Sequence, residues 1–148
     1  MKGRFHRRFL FGAMVAVLAV PILARPPYAH EYLVKIGDLA PDFTIRQADG
    51  KTYQLSDLRG KGLHVIGIDR DEPIETVNSF AKQVGISYPL ALDPGADIFA
   101  RYAQKDSGVT RNVIIDRNGR IIFLTRLFDR AEFNKMKARI EEELGKEE

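Results

Sequence analysis

The chain has 148 residues, with 23 Lys and Arg against 20 Asp and Glu and a formal net charge of +3. Residues 1–29 hold five bases and no acid, so residues 30–148 are net −2 and nucleic acid is not implied as a partner. A charged fraction of 29% and an apolar fraction of 45% exclude wholesale disorder and a polytopic membrane protein, and the absence of Cys excludes a disulfide, a thiolate nucleophile and an iron–sulfur or zinc–thiolate site.

Met1–Arg8 is basic and Phe9–Ala24 is an apolar run interrupted by Gly12 and Pro21. The run is shorter than the roughly 20 residues of a membrane span. A basic start, a short apolar stretch and small residues read as a secretory signal peptide cut after Ala24 or Ala29, or as an uncleaved N-terminal anchor. The division expected is residues 1–29 as leader and residues 30–148 as one domain, exported to the periplasm or cell envelope. A membrane contact is expected only if the leader stays attached.

His30–Leu39 is a lead-in. Phe43–Gln47 and Lys51–Leu55 flank Ala48-Asp49-Gly50, which predicts a hairpin. Leu63–Asp69 is apolar on both alternating faces, as in a strand covered on both sides. Asp71-Glu72-Pro73 opens a helix with Pro in its first turn, Ile74, Val77, Phe80, Ala81 and Val84 form its apolar stripe, and Gly85 ends it. Ile86–Leu92 is extended, and Asp93-Pro94 caps a short helix carrying Ile98, Phe99 and Tyr102. Val113–Asp116 and Arg120–Leu127 make a second hairpin around Arg117-Asn118-Gly119. Asp129 caps a last helix with Glu132 at its third position, and Phe133, Met136, Ile140 and Leu144 face inward. The order predicts an α/β sandwich.

Three stretches together resemble one family. Gly37–Lys61 (GDLAPDFTIRQADGKTYQLSDLRGK), Gly62–Ala103 with GLHVIGIDRDEP and GISYPLALDPGADIFARYA, and Ser107–Phe128 (SGVTRNVIIDRNGRIIFLTRLF) are similar to the redoxin branch of the thioredoxin superfamily, the AhpC/TSA and TlpA-like thiol–disulfide oxidoreductases. The resemblance implies a truncated thioredoxin-like sandwich: an N-terminal hairpin, a mixed sheet, and a C-terminal hairpin and helix. It also implies that the strand, Cys loop and helix between Lys61 and Leu63 are missing. A strand–crossover–strand unit takes about 30 residues or more, and only Gly62 stands there.

The implied ancestry is thiol–disulfide exchange or antioxidant peroxide reduction, yet neither runs without a sulfur nucleophile. By resemblance, Thr110 occupies the place of the family's cis-Pro, and Arg111 that of an Arg that steadies the thiolate in peroxiredoxin-like relatives. Read from the residues alone, Arg111 is a surface Arg at a strand start. His64 reads as a strand residue near a buried face. Asp69, Asp71 and Glu72, like Asp93 and Asp97, read as helix caps rather than a cation site. No cofactor and no metal are expected. The readings left open are an oxidoreductase by ancestry, a catalytically dead module binding an envelope protein, and a truncated product. In a single chain the strands flanking the missing one are expected to close on each other, antiparallel, with marginal stability.

Overall fold

Asp49 Oδ1 accepts from the Lys51 amide at 3.1 Å and Gly50 takes φ +89°, so the chain reverses where the sequence predicts. The reversal pairs β1 (Thr44–Arg46) antiparallel with β2 (Thr52–Gln54), and Ile45, opposite Tyr53, is fully buried. The computed structural model describes residues 31–47 and 49–146; the expected leader, His30 and Ala48 lie outside them.

A βαβ unit follows. β3 (Gly67–Arg70) runs parallel to β4 (Leu90–Asp93) across α1 (Ile74–Val84). Pro73 is the N-cap of α1 rather than part of its first turn, and Gly85 ends the helix at φ +72°, a left-handed conformation that only glycine takes cheaply. Of the expected stripe Val77 is buried, whereas Phe80 and Val84 are 57% and 53% exposed. Both Asp93 carboxylate oxygens accept amides, from Ile98 at 2.9 Å and Phe99 at 2.8 Å, and so launch α2 (Phe99–Tyr102). β5 (Arg111–Ile115) and β6 (Ile121–Arg126) form the second hairpin, whose turn is held by Asp116 Oδ1 accepting from Asn118 and Arg120. Asp129 caps α3 (Arg130–Leu144) by accepting from the Glu132 amide at 2.9 Å.

The α/β sandwich is observed, but its sheet is divided. Among the described residues the strands form three separate pairs, β1–β2, β3–β4 and β5–β6, instead of one mixed sheet. The expected closure of β3 onto β5 does not occur. A strap made of residues 31–47 holds the two halves at fixed places. On one side Gln47 bridges Ala91 of β4; on the other the Gly37 amide donates to Ile121 O at 2.8 Å and the Ile121 amide to Asp38 O at 2.9 Å. The buried cluster Ala40, Phe43, Ile45, Ala91, Tyr102 and Ile121 packs between strap and strands. Sliding β5 onto β3 would break these bonds and open that core, at about 25 cal/mol per Å² of apolar surface. The strand expected over Leu63–Asp69 is accordingly short. Residues 63–66 have no neighbouring strand among the described residues and are irregular.

Candidate functional site

A cavity of about 760 Å³ lies between β3 and β5. Ile98, Phe99 and Tyr102 line one of its walls, and Met136, Ile140 and Leu144 of α3 line another. Three of the four residues of the expected inward stripe of α3 therefore face this space, whereas Phe133 lies against Phe128 with ring centres 5.9 Å apart, and none of the helix's residues is buried.

The rims are main chain. The Gly67 amide donates to Pro89 O at 3.0 Å, so Gly67 and Asp69 turn their peptide groups to β4. Strand alternation then turns those of Ile68 and Arg70 to the gap. Across it, the Leu127 amide donates to Thr110 O and the Asp116 amide to Arg120 O, which sets Thr110, Asn112, Ile114 and Asp116 toward β6. Arg111, Val113 and Ile115 therefore present N–H and C=O groups to the gap. Among the described residues no strand pairing joins β3 to β5.

The rims run antiparallel. At one end Arg70 Nη1 donates to Ser107 O at 3.4 Å, just before β5 begins. At the other, the Arg59 side chain, which precedes β3, lies against Gly119, just after β5 ends.

Thr110 and Arg111 stand where β5 meets this cavity. Thr110 is not cis; its φ is +67°, an unfavourable left-handed conformation for a β-branched residue. Arg111 is no surface residue: its side chain is 6% exposed. Its Nη2 donates to Glu31 Oε2 at 2.9 Å and to Ser107 Oγ at 2.7 Å. The guanidinium carbon lies 4.6 Å from the Tyr32 ring centre and 5.5 Å from that of Phe99. Among the described residues Nε and Nη1 have no hydrogen-bond partner and no exposure, so the aromatic faces are what meets their charge. Sequence reasoning missed Glu31, Tyr32 and Phe99 as the partners of Arg111. Glu31 is 80 positions away, and no local pattern announces such a pair.

His64 is exposed and lies outside β3, with Nε2 3.0 Å from Lys61 O. Of the acids expected as caps Asp93 launches a helix, whereas α1 has no side-chain cap bond: Asp69 accepts from the Glu72 amide and Asp71 from the Gly95 amide, both outside any helix. His64, Asp69, Glu72 and Asp93 all line the cavity, yet among the described residues no three His, Asp or Glu side chains come together as a metal site. On the cavity's lining, the Ser56 hydroxyl, which donates to Asp42 Oδ2 at 2.8 Å, holds the Asp42 carboxyl below its ordinary range. Burial pushes the Tyr102 hydroxyl, which donates to Pro41 O at 2.8 Å, well above the ordinary phenol range. Among the described residues no helix is long and apolar enough to cross a membrane.

Residues 62–140 match the family model described as Redoxin. The chain is 25% identical over 126 aligned positions to the thiol-disulfide oxidoreductase ResA of Bacillus thuringiensis (strain Al Hakam), covering 64% of this chain and 72% of the relative. That share of this chain is about 95 residues, so about 31 aligned positions find no residue here, the size of one strand–helix unit. A solved candidate protein disulfide isomerase from Bacteroides thetaiotaomicron is 45% identical with a TM-score of 0.74, over 78% of this chain and 93% of that one. Peroxidoxin BcpB of Mycobacterium tuberculosis is 17% identical with a TM-score of 0.59, over 73% and 97%, a likeness of fold alone. The neighbours share the thioredoxin-like architecture, here without the strand that belongs between β3 and β5.

Proposed function

This chain belongs to the redoxin family and contains no cysteine, and we propose that it is an exported, redox-inert member that keeps the fold in order to bind another polypeptide. The observation that carries this reading is the absence of sulfur nucleophiles from the entire sequence. Thiol–disulfide exchange needs an attacking thiolate and a resolving sulfur, and Met does not substitute. Thr110 and Arg111 are remnants of the family's catalytic loop in this reading, and Arg111 now serves packing instead of a thiolate. Export to the periplasm or cell envelope is supported by the basic, apolar, then small order of residues 1–29. The test is turnover: purified protein should reduce neither insulin disulfides nor peroxide with a thiol donor. Turnover in a preparation free of contaminating thioredoxins contradicts the reading. For export, intact mass of protein from the envelope fraction should start near Arg25 or His30. A mass retaining Met1–Phe9 rejects cleavage, and recovery from the cytosol rejects export.

One observation favours a second reading, a deletion product of a redox-active parent. Arg59-Gly60-Lys61-Gly62-Leu63 serves at once as the end of one family segment and the start of a later one, and about 31 aligned positions of the relative have no counterpart. Sequencing source DNA across codons 60–63 decides it: an intact Cys-containing segment in the gene supports the deletion, and a continuous join supports a natural loss.

A further inference from the structure

We infer that the gap between β3 and β5 receives an extended segment of another polypeptide as an added strand, parallel to β3 and antiparallel to β5. The segment is an apolar run of about five residues followed by a basic residue. The inference rests on the binding-module reading above and names its site and its partner class.

Four features specify this occupant. The first is the pair of rims. Ile68 and Arg70 on one side and Arg111, Val113 and Ile115 on the other offer peptide donors and acceptors that the fold's own ladders do not use. In a mixed sheet a strand between two neighbours bonds both at spacings of about 4.8 Å, and the space between β3 and β5 holds no such strand among the described residues. A small apolar ligand would fill the volume and leave those groups without partners. An extended peptide satisfies them by strand addition.

The second feature is direction. The Arg70–Ser107 contact and the Arg59–Gly119 approach make the rims antiparallel. A single inserted strand therefore meets one parallel and one antiparallel neighbour, as it does in a mixed sheet.

The third is polarity. Phe99 and Tyr102 lie on one wall and Met136 and Ile140 on another. A strand between them is covered on both faces and must be apolar at successive positions, unlike the alternating pattern of a half-exposed strand.

The fourth is charge. Where β3 ends, Asp69, Glu72 and Asp93 line the cavity and Asp71 pairs with Arg70 at 3.5 Å, while Arg111 and Arg126 share Glu31, which leaves acids in excess of bases at this end. A segment parallel to β3 leaves the gap at this acidic end, so a Lys or Arg after the apolar run is complementary and an acid is opposed.

The test uses the full chain and a labelled, acetylated and amidated Val-Val-Ile-Val-Ala-Lys peptide, followed by fluorescence anisotropy and residue-resolved amide exchange. Saturable binding with new protection at the Ile68, Arg70, Val113 and Ile115 amides supports the inference. So does a loss of binding of about tenfold or more for the same peptide N-methylated at alternate residues, and a weakening of about threefold when its Lys is replaced by Asp. Val113→Pro removes a gap-facing donor that the β5–β6 ladder does not use, and proline is tolerated on such an edge. It should abolish binding while keeping the far-ultraviolet circular dichroism. Should Val113→Pro prove misfolded, the N-methylated peptide still decides. Equal binding of the N-methylated peptide overturns the inference in favour of a generic apolar cavity. Protection of the same amides in the free chain also overturns it, with the leader as occupant if the chain is monomeric and a second copy if sedimentation shows a dimer. Absence of binding by a protein that also fails to reduce insulin overturns this inference and leaves the redox-inert reading standing. Insulin turnover sinks that reading instead.

Discussion

Arg111 Nη2 lies 2.9 Å from Glu31 Oε2, joining the first described residue to the rim of the gap through a side chain that is 6% exposed. The same guanidinium faces the Tyr32 and Phe99 rings, so strap, α2 and β5 converge on one charge. Glu31 keeps Arg126 as a second partner when Arg111 is removed, so the cost is that of the packed guanidinium and its bonds rather than of a stranded charge. Arg111→Ala should lower the unfolding free energy by about 1–2 kcal/mol, measured by denaturant titration. Arg111→Lys should recover only part of this, because an ammonium cannot lie flat between two rings while bonding Glu31. Full recovery by Lys would show that charge alone is what the position needs.

Thr110 sits at φ +67°, where a β-branched residue is strained. Thr110→Gly should stabilise the protein by up to about 1 kcal/mol. Thr110→Pro should destabilise it by about 2 kcal/mol or more, since proline is locked near φ −65°. Thermal melts of the two variants should move in opposite directions. A rise for both would mean that the backbone at residue 110 rearranges freely.

Local structure was legible in the sequence wherever short-range chemistry decides it. Asp49-Gly50 and Asn118-Gly119 mark the two hairpins, Gly85 the end of α1, and Asp93 and Asp129 the caps. The family, too, was legible, because three motif stretches stand in the right order. The division of the sheet was not. Whether β3 closes on β5 depends on the strap bonds at Gly37, Asp38 and Gln47, and such long-range pairings leave no pattern along the chain. Arg111 shows the same limit: the sequence places it at a strand start, while its burial comes from Glu31, Tyr32 and Phe99, all distant in the chain.

Asp42 should make the fold acid-sensitive. Its carboxylate accepts from the Ser56 hydroxyl at 2.8 Å and from the Ser56 and Phe43 amides, which hold its pKa below the ordinary value of 3.8. A depressed carboxylate contributes stability that is present above its unfolded pKa and lost as pH falls through the lower, folded one. Stability should therefore decline on acidification below about pH 4. Asp42→Asn should flatten that decline and cost about 1 kcal/mol at neutral pH. An acid limb identical to that of the parent would show that other carboxylates dominate.

Tyr102 gives the opposite limb. Burial raises its hydroxyl pKa, so its contribution is fully present below about pH 10 and is lost as pH rises toward the folded pKa. Tyr102→Phe removes the bond to Pro41 O while keeping the edge-on contact with Phe43 at 6.0 Å. It should cost about 1 kcal/mol and remove that share of the alkaline decline, read from melts between pH 8 and pH 11.

Residue-resolved amide exchange on the free chain near neutral pH tests the open strand gap most directly. An open gap predicts alternation. Amides turned to a ladder partner, at Asp69, Asn112 and Ile114, should be protected, and their neighbours turned to the gap, at Ile68, Arg70, Val113 and Ile115, should exchange rapidly. Uniform protection along both strands would contradict it, because every gap-facing amide would then already have a partner.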